Sequence, residues 1–224
     1  MLFRSVSQSR YVLTWTKDDL GNNKSVLNFD GSTNYISLTD NDAWYFGTGD
    51  FSISFWVKIT YFPSSAWLTI IGQKTSYDSN ASWVITYQTY NNSSVDSFLL
   101  STYGDGVTQD IDYWRISQAS LLNTWAHIVI VKTGTTAKLY RDGTLISAVE
   151  NALSSNIYNS TAPLIIGASS YSGTYNNFLY GQLKDLMIWK GRVLTQAEIK
   201  LLMNRTHPIT GRGLIDSGKY WRLS

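Results

Sequence analysis

The chain has 224 residues, 15% of them charged, and a formal net charge of +2. A chain of that length buries roughly 70% of the surface it exposes when unfolded, and a β-sandwich can use all of it as one domain. The charge balance leaves no footprint for nucleic acid or an anionic membrane. No run approaches the ~20 apolar residues of a membrane span. The absence of cysteine excludes disulfides and thiolate metal sites.

Residues 1–24 read as a polar N-terminal arm, without an apolar run long enough for a signal peptide. Val26–Phe29 and Asn34–Leu38 read as the first strands of the body. From Phe51 to Lys58 the alternation is clean: Phe51, Ile53, Phe55 and Val57 share one face, and Ser52, Ser54, Trp56 and Lys58 the other. That period of two predicts a strand with one buried face.

Trp67–Gly72, Ser82–Tyr90, Ser97–Ser101 and Tyr113–Ser117 read as further strands. Trp125–Lys132 is apolar on both faces apart from His127, as a central strand requires. Asp142-Gly143 between two alternating runs predicts a type I′ hairpin, since both turn residues need positive φ. Leu164–Gly167 and Leu183–Lys190 complete the strands. Ile70-Ile71-Gly72 and Ile165-Ile166-Gly167 look alike and read as equivalent strands of two sheets.

The period then changes. Thr195-Gln196-Ala197-Glu198 is a capping box that predicts a short helix over Gln196–Met203. Residues 204–224 read as a C-terminal tail, which leaves 25–203 as the folded body. Many strands and one late helix predict an all-β protein, a two-sheet antiparallel sandwich, rather than a βαβ fold.

Several motifs follow one another in a familiar order. They are Phe29-Asp30-Gly31, Asn34-Tyr35-Ile36, Gly49-Asp50-Phe51-Ser52-Ile53-Ser54-Phe55-Trp56, Trp125-Ala126-His127-Ile128-Val129, Leu139-Tyr140-Arg141-Asp142-Gly143 and Gly181 to Trp189, with the helix behind them. In this order the chain, from about Val26 to Met203, resembles laminin-G-like domains of the concanavalin A-like lectin and glucanase superfamily. The resemblance implies a jelly roll that binds glycans, proteins or cell surfaces. It also implies a structural calcium, with Asp30, Asp50 and Asp185 at the family-like positions.

Catalysis is not expected. The glucanases of this superfamily carry a Glu-x-Asp-x-x-Glu strand motif, because retaining hydrolysis needs two carboxyls about 5–5.5 Å apart. This chain has only two glutamates, Glu150 and Glu198, and Glu198 belongs to the capping box. Asp110 and Asp112 share a strand face but read as loop acids. His127 reads as a packed, hydrogen-bonded histidine, and His207 lies in the tail.

The expected function is a non-catalytic adhesion or carbohydrate-binding module. Its polar, cysteine-free sequence would suit a virion-borne setting such as a phage fibre or capsid decoration. Sugar rings stack on aromatics, and the aromatics chosen here for glycan contact are Tyr77, Tyr103, Tyr171, Trp83 and Trp114. The rim is expected in the polar loops Thr75–Ala81, Thr102–Asp112 and Ser169–Asn177. The alternative is a structural decoration or cement protein whose arms contact capsid or fibre subunits.

Overall fold

Alternating apolar residues need a partner face to bury them, and here two sheets supply it to each other. The computed structural model describes residues 15–16, 26–75, 80–90, 96–149, 151–171, 173–206 and 221–223. In chain order the strands are β1 (Trp15–Thr16), β2 (Val26–Asp30), β3 (Ile36–Leu38), β4 (Phe51–Ile59), β5 (Trp67–Lys74), β6 (Ala81–Gln88), β7 (Ser97–Tyr103) and β8 (Gln109–Arg115). They continue as β9 (Ala126–Thr133), β10 (Thr136–Arg141), β11 (Thr144–Ile146), β12 (Ala148–Val149), β13 (Leu164–Ile166), β14 (Ser169–Tyr171), β15 (Thr174–Asn176) and β16 (Tyr180–Lys190). One helix, α1 (Gln196–Thr206), and strand β17 (Trp221–Leu223) follow.

One antiparallel sheet has the order β1-β2-β16-β4-β9-β10-β11, with β17 also pairing β16. The other has the order β12-β8-β7-β6-β5-β13-β3, and β14–β15 forms a separate hairpin. The expected two-sheet jelly roll with one late helix is the architecture observed. Its core lies between the sheets. Phe51, Ile53, Phe55 and Val57 of β4 meet Trp83, Ile85, Phe98 and Leu100 of the facing sheet, and the Phe55 and Phe98 rings stand 6.4 Å apart across the interface. Burial of each such side chain contributes about 1.5–3 kcal/mol.

The turn and cap signals hold. Asp142 and Gly143 take φ of 50° and 75°, joining Arg141 to Thr144 in a two-residue hairpin. Thr195 and Glu198 form both arms of the capping box: the Glu198 carboxylate accepts from Thr195 N at 2.8 Å, and Thr195 Oγ1 accepts from Glu198 N at 3.3 Å. The helix runs on to Thr206, past the expected end at Met203.

Three strand expectations are corrected. Ile70-Ile71-Gly72 and Ile165-Ile166-Gly167 are not in different sheets but are neighbours in one, with Ile71 paired to Ile166. Strand β8 starts at Gln109 rather than Tyr113, because Asp105 accepts from Val107 N and Thr108 N and turns the chain early. The second face of β4 is also buried: Ser52 Oγ donates to the Arg192 carbonyl and accepts from Leu194 N. Leu194, Ile199 and Leu202 cover Val129, Val131, Met187 and Trp189 on that outer face.

The three aspartates chosen for calcium are held apart by strand register. Asp30 pairs with Tyr180 at one end of β16, and Asp50 precedes Phe51, which pairs with Lys190 at the other. Eight steps along β4 separate these ends, on the order of 26 Å. Asp185 lies between them at a β-bulge, with a φ of 49°, and pairs with Lys184 at 3.1 Å. A calcium ion needs its oxygens at about 2.3–2.6 Å, so these carboxylates do not fit a shared ion.

Each aspartate has a local task instead. Asp30 accepts from Ser32 N, Thr33 N, Asn34 N and the Thr33 hydroxyl in a tight turn. Burial pushes its pKa up, but these bonds outweigh it and hold the carboxyl well below the usual range. Asp50 accepts from Gly134 N at 3.0 Å. Among the described residues no group of three or more His, Cys, Asp or Glu could hold a metal, and no helix is long and apolar enough to cross a membrane.

Candidate functional site

In a sandwich the core takes one face of each sheet and leaves the other to solvent or to a ligand. In β6, Trp83, Ile85 and Tyr87 point into the core, so Val84 and Thr86 point away. In β7, Phe98 and Leu100 point in, and Leu99 and Ser101 point out. Register sets Thr69 of β5 opposite Thr86 and Val84 opposite Ser101. This outer face of the seven-stranded sheet is therefore a patch of small and hydroxylated side chains.

The β14–β15 hairpin walls the patch on one side. Thr69 N donates to the Asn177 carbonyl at 2.9 Å and fixes the foot of the hairpin to β5. Register irregularities in β5 and β6 flank the patch, between Thr69 and Ile71 and at Lys74; such bulges bend a sheet locally. The result is a small groove of about 100 Å³, partly open to solvent. Thr69, Val84, Thr86 and Ser101 line it, with Lys74 and Gln109 toward the end of the sheet where β5 finishes and β8 starts, Ser169 and Asn177 on the hairpin side, and the half-buried Trp67 at the other end of β5.

Most polar groups here are already arranged. Gln109 Nε2 donates to Ser101 Oγ at 2.7 Å. Asn177 Nδ2 donates to Ser169 Oγ at 3.1 Å. Lys74 Nζ donates to the Tyr103 hydroxyl at 2.9 Å and lies 5.2 Å from the centre of that ring. The exceptions are Thr69 and Thr86, 1% and 5% exposed. Each hydroxyl oxygen is shut off from solvent and finds no partner among the described residues. An unmet buried hydroxyl costs about 1–3 kcal/mol.

The aromatics chosen from the sequence fall in different places. Trp83 and Trp114 are fully buried, so neither can carry a sugar. Trp83 packs against Phe46 and Phe51 and donates to the Trp44 carbonyl at 2.9 Å; Trp114 belongs to the same core. Tyr103 is buried as well; it packs with Ala81 and Val84, and its hydroxyl accepts from Lys74 Nζ. Tyr171, 40% exposed, stands on the hairpin. Tyr77 lies outside the described residues.

Of the expected rim loops, Ser169–Asn177 is the hairpin wall, and Thr102–Asp112 is largely strand. His127 is packed as expected, with Nε2 hydrogen-bonded to Ser54 Oγ at 2.9 Å. His207 and Glu150 are outside the described residues. Gln109, Ser169 and Asn177 lie within two of the expected rim loops, whereas the groove residues Trp67, Thr69 and Thr86 were not singled out from the sequence. The alternation of Thr86 with Ile85 and Tyr87 was the available signal for one of them.

The laminin-G model of the concanavalin A-like lectin/glucanases superfamily matches residues 30–200. The chain belongs to this superfamily. Solved structures with the concanavalin A-like fold include a native heptameric SAP-like pentraxin from Limulus polyphemus, 14% identical, with a TM-score of 0.60 over 88% of this chain and 90% of that one. The binding domain of botulinum neurotoxin DC, solved with rat synaptotagmin II, is 17% identical, with a TM-score of 0.62 over 86% of this chain and 45% of that one. Botulinum neurotoxin type C, whose cell entry depends on interaction with two ganglioside molecules, is 16% identical, with a TM-score of 0.61 over 86% of this chain and 44% of that one. These identities show a shared fold, and this chain spans slightly under half of each of these two neurotoxin chains. A search of curated proteins finds no match.

Proposed function

We propose that this protein is a non-catalytic carbohydrate-binding module whose ligand lies in the groove across β5, β6 and β7. One observation carries the reading: the groove offers hydroxyls, amides, one indole and one ammonium, but no Asp, Glu or His among its described lining residues. Hydrolysis of a glycosidic bond needs two positioned carboxyls. Hydrogen bonding and stacking need only what is present. Asp110 and Asp112 do not alter this, since Asp110 is bonded by Ser154 Oγ and Asp112 is buried. Membership of a superfamily that includes lectins, and the ganglioside dependence of one structural neighbour, support a glycan as the ligand class.

Saturation-transfer NMR and calorimetry with a panel of oligosaccharides test the reading. A shallow site of this kind should bind with a Kd on the order of millimolar, about 4 kcal/mol, and Trp67→Ala should weaken binding without unfolding the protein. No release of reducing ends should follow long incubation with the same sugars. A panel with no binder at 10-fold higher concentration would overturn the proposal. A calcium requirement, which the resemblance implies, would have to rest on ligands other than Asp30, Asp50 and Asp185 together.

A second reading is a structural decoration or cement protein, in which the flanks bind capsid or fibre subunits. It draws on β1 and β17, which attach both flanks to one edge of the larger sheet. Either role suits an extracellular or virion-borne setting. Co-sedimentation with a capsid or fibre, without glycan binding, would favour the second reading.

A further inference from the structure

We propose that Trp67 and Arg115 are the two ends of a subsite that selects a carboxylate-bearing oligosaccharide, with the indole on a sugar ring and the guanidinium on the acid. The inference rests on the reading of this face as a carbohydrate site and names what that site selects. Register sets the two residues in one row across the outer face of the seven-stranded sheet. Trp67 of β5 pairs with Gln88 of β6, Gln88 with Ser97 of β7, and Ser97 with Arg115 of β8. Leu68, Tyr87 and Trp114 point into the core, so Trp67, Gln88 and Arg115 beside them point out. Trp67 belongs to the groove, and the row runs on from it to β8. Three strand spacings separate its ends, about 14 Å from backbone to backbone, a span for an oligosaccharide rather than for one sugar ring.

The accessible groups of this row are unengaged. Trp67 and Gln88 are half-buried, and Arg115 is exposed. The Trp67 indole N–H, the Gln88 amide and the Arg115 guanidinium have no hydrogen-bond or ion-pair partner among the described residues. Ser97 is buried and offers a ligand no contact. Farther along the face the polar groups are taken, Gln109 by Ser101 and Lys74 by Tyr103. An exposed arginine alone would be an ordinary surface residue. Here it ends a row that begins with an indole and has a free amide between.

The charge of the face points to the class of ligand. Alternation turns Asp110 and Asp112 to the side of Trp114, and it sets no Asp or Glu on the outer face of β5, β6, β7 or β8. Lys74, the other cation on that face, is buried against Tyr103. Arg115 is therefore the cation that a ligand meets there. A guanidinium fork matches a carboxylate through two parallel N–H···O bonds. An indole supplies an apolar face and one N–H donor. A neutral sugar would use the Trp67 end and leave Arg115 idle.

The test uses the full chain and its Arg115→Gln, Arg115→Lys and Trp67→Ala variants. Sialyllactose and a hyaluronan tetrasaccharide present the two common sources of a sugar carboxylate. Lactose and chitotetraose are their neutral counterparts, and methyl glucuronide is the single acidic sugar. Binding is read by saturation-transfer NMR at low and high salt, and folding by thermal melting. Wild type should bind one acidic oligosaccharide about tenfold more tightly than its neutral counterpart, and high salt should shrink that preference. Arg115→Gln should abolish the preference, Arg115→Lys should keep part of it, and both should melt as wild type does. Trp67→Ala should weaken acidic and neutral sugars alike.

Equal binding of acidic and neutral partners by wild type, or an acidic preference that survives Arg115→Gln, would overturn the proposal and leave the carbohydrate reading standing. Methyl glucuronide that binds as tightly as the acidic oligosaccharides would overturn the two-ended subsite. A wild-type protein that binds none of the probes would overturn the carbohydrate reading, and this inference with it.

Discussion

Gly181 lies so close to the Lys58 carbonyl that a Cβ at residue 181 would stand 2.1 Å from that oxygen. Gly181 is paired on both sides, to Ile59 of β4 and to Phe29 of β2, so the backbone has little room to yield. Gly181→Ala should therefore destabilise the protein by about 3 kcal/mol, read as a lower urea midpoint at unchanged slope. An unchanged midpoint would mean that β4 and β16 can part locally.

Asp142 serves the β10–β11 hairpin twice. It holds a φ of 50°, and its carboxylate accepts from His127 N at 2.9 Å. Asp142→Ala loses both the tolerance for left-handed backbone and the acceptor, at a cost of about 1–2 kcal/mol. Asp142→Asn keeps both and should stay within about 0.5 kcal/mol of wild type. Equal denaturation midpoints for the two variants would contradict this account.

Three carboxylates with lowered pKa, Asp30, Asp105 and Glu198, set an acid limit. Hydrogen bonds from the Thr108 hydroxyl and from Val107 N and Thr108 N pull the Asp105 pKa down to about 2. Bonds from Thr195, then Arg192, lower that of Glu198. Each pKa is depressed by folding, so the stabilisation is present above the unfolded values of about 4 and is lost as pH falls through the folded ones. The melting temperature should hold level above about pH 5 and fall toward pH 2. Asp105→Asn should make that fall shallower, and an unchanged acid limb in this variant would show that Asp105 does not contribute to it.

Asp30 and Asp50 sit at opposite ends of the larger sheet, so their removal should act independently. A double-mutant cycle between Asp30→Ala and Asp50→Ala should close within about 0.5 kcal/mol, with or without EDTA. Coupling that appears only in the presence of calcium would restore a shared ion.

Local chemistry was legible in the sequence wherever a few adjacent residues decide the outcome. The alternation from Phe51 to Lys58, the Asp142-Gly143 turn and the Thr195–Glu198 cap each settle their own backbone. Pairing between distant segments was not legible. Ile70-Ile71-Gly72 and Ile165-Ile166-Gly167 share a sheet because of register, which neither segment encodes alone. The covering of Ser52 by the turn before α1 depends on a chain segment 140 residues away. The candidate site suffered most. Aromatic identity drew attention to Trp83 and Trp114, yet alternation with Ile85 and pairing with Phe98 turn them inward. The groove itself exists only because Thr69 and Thr86, 17 positions apart in the sequence, meet across two strands.

Strands β1 and β17 lie on the same side of β16, away from β4, while the groove opens on the outer face of the opposite sheet. That edge belongs to the larger sheet, so a partner seated on it would leave the groove uncovered. Copies anchored side by side on a larger body would then all keep their grooves open. Weak single contacts then combine, and the effective affinity for a many-branched surface rises by about 10²–10⁴ without any new contact within a site.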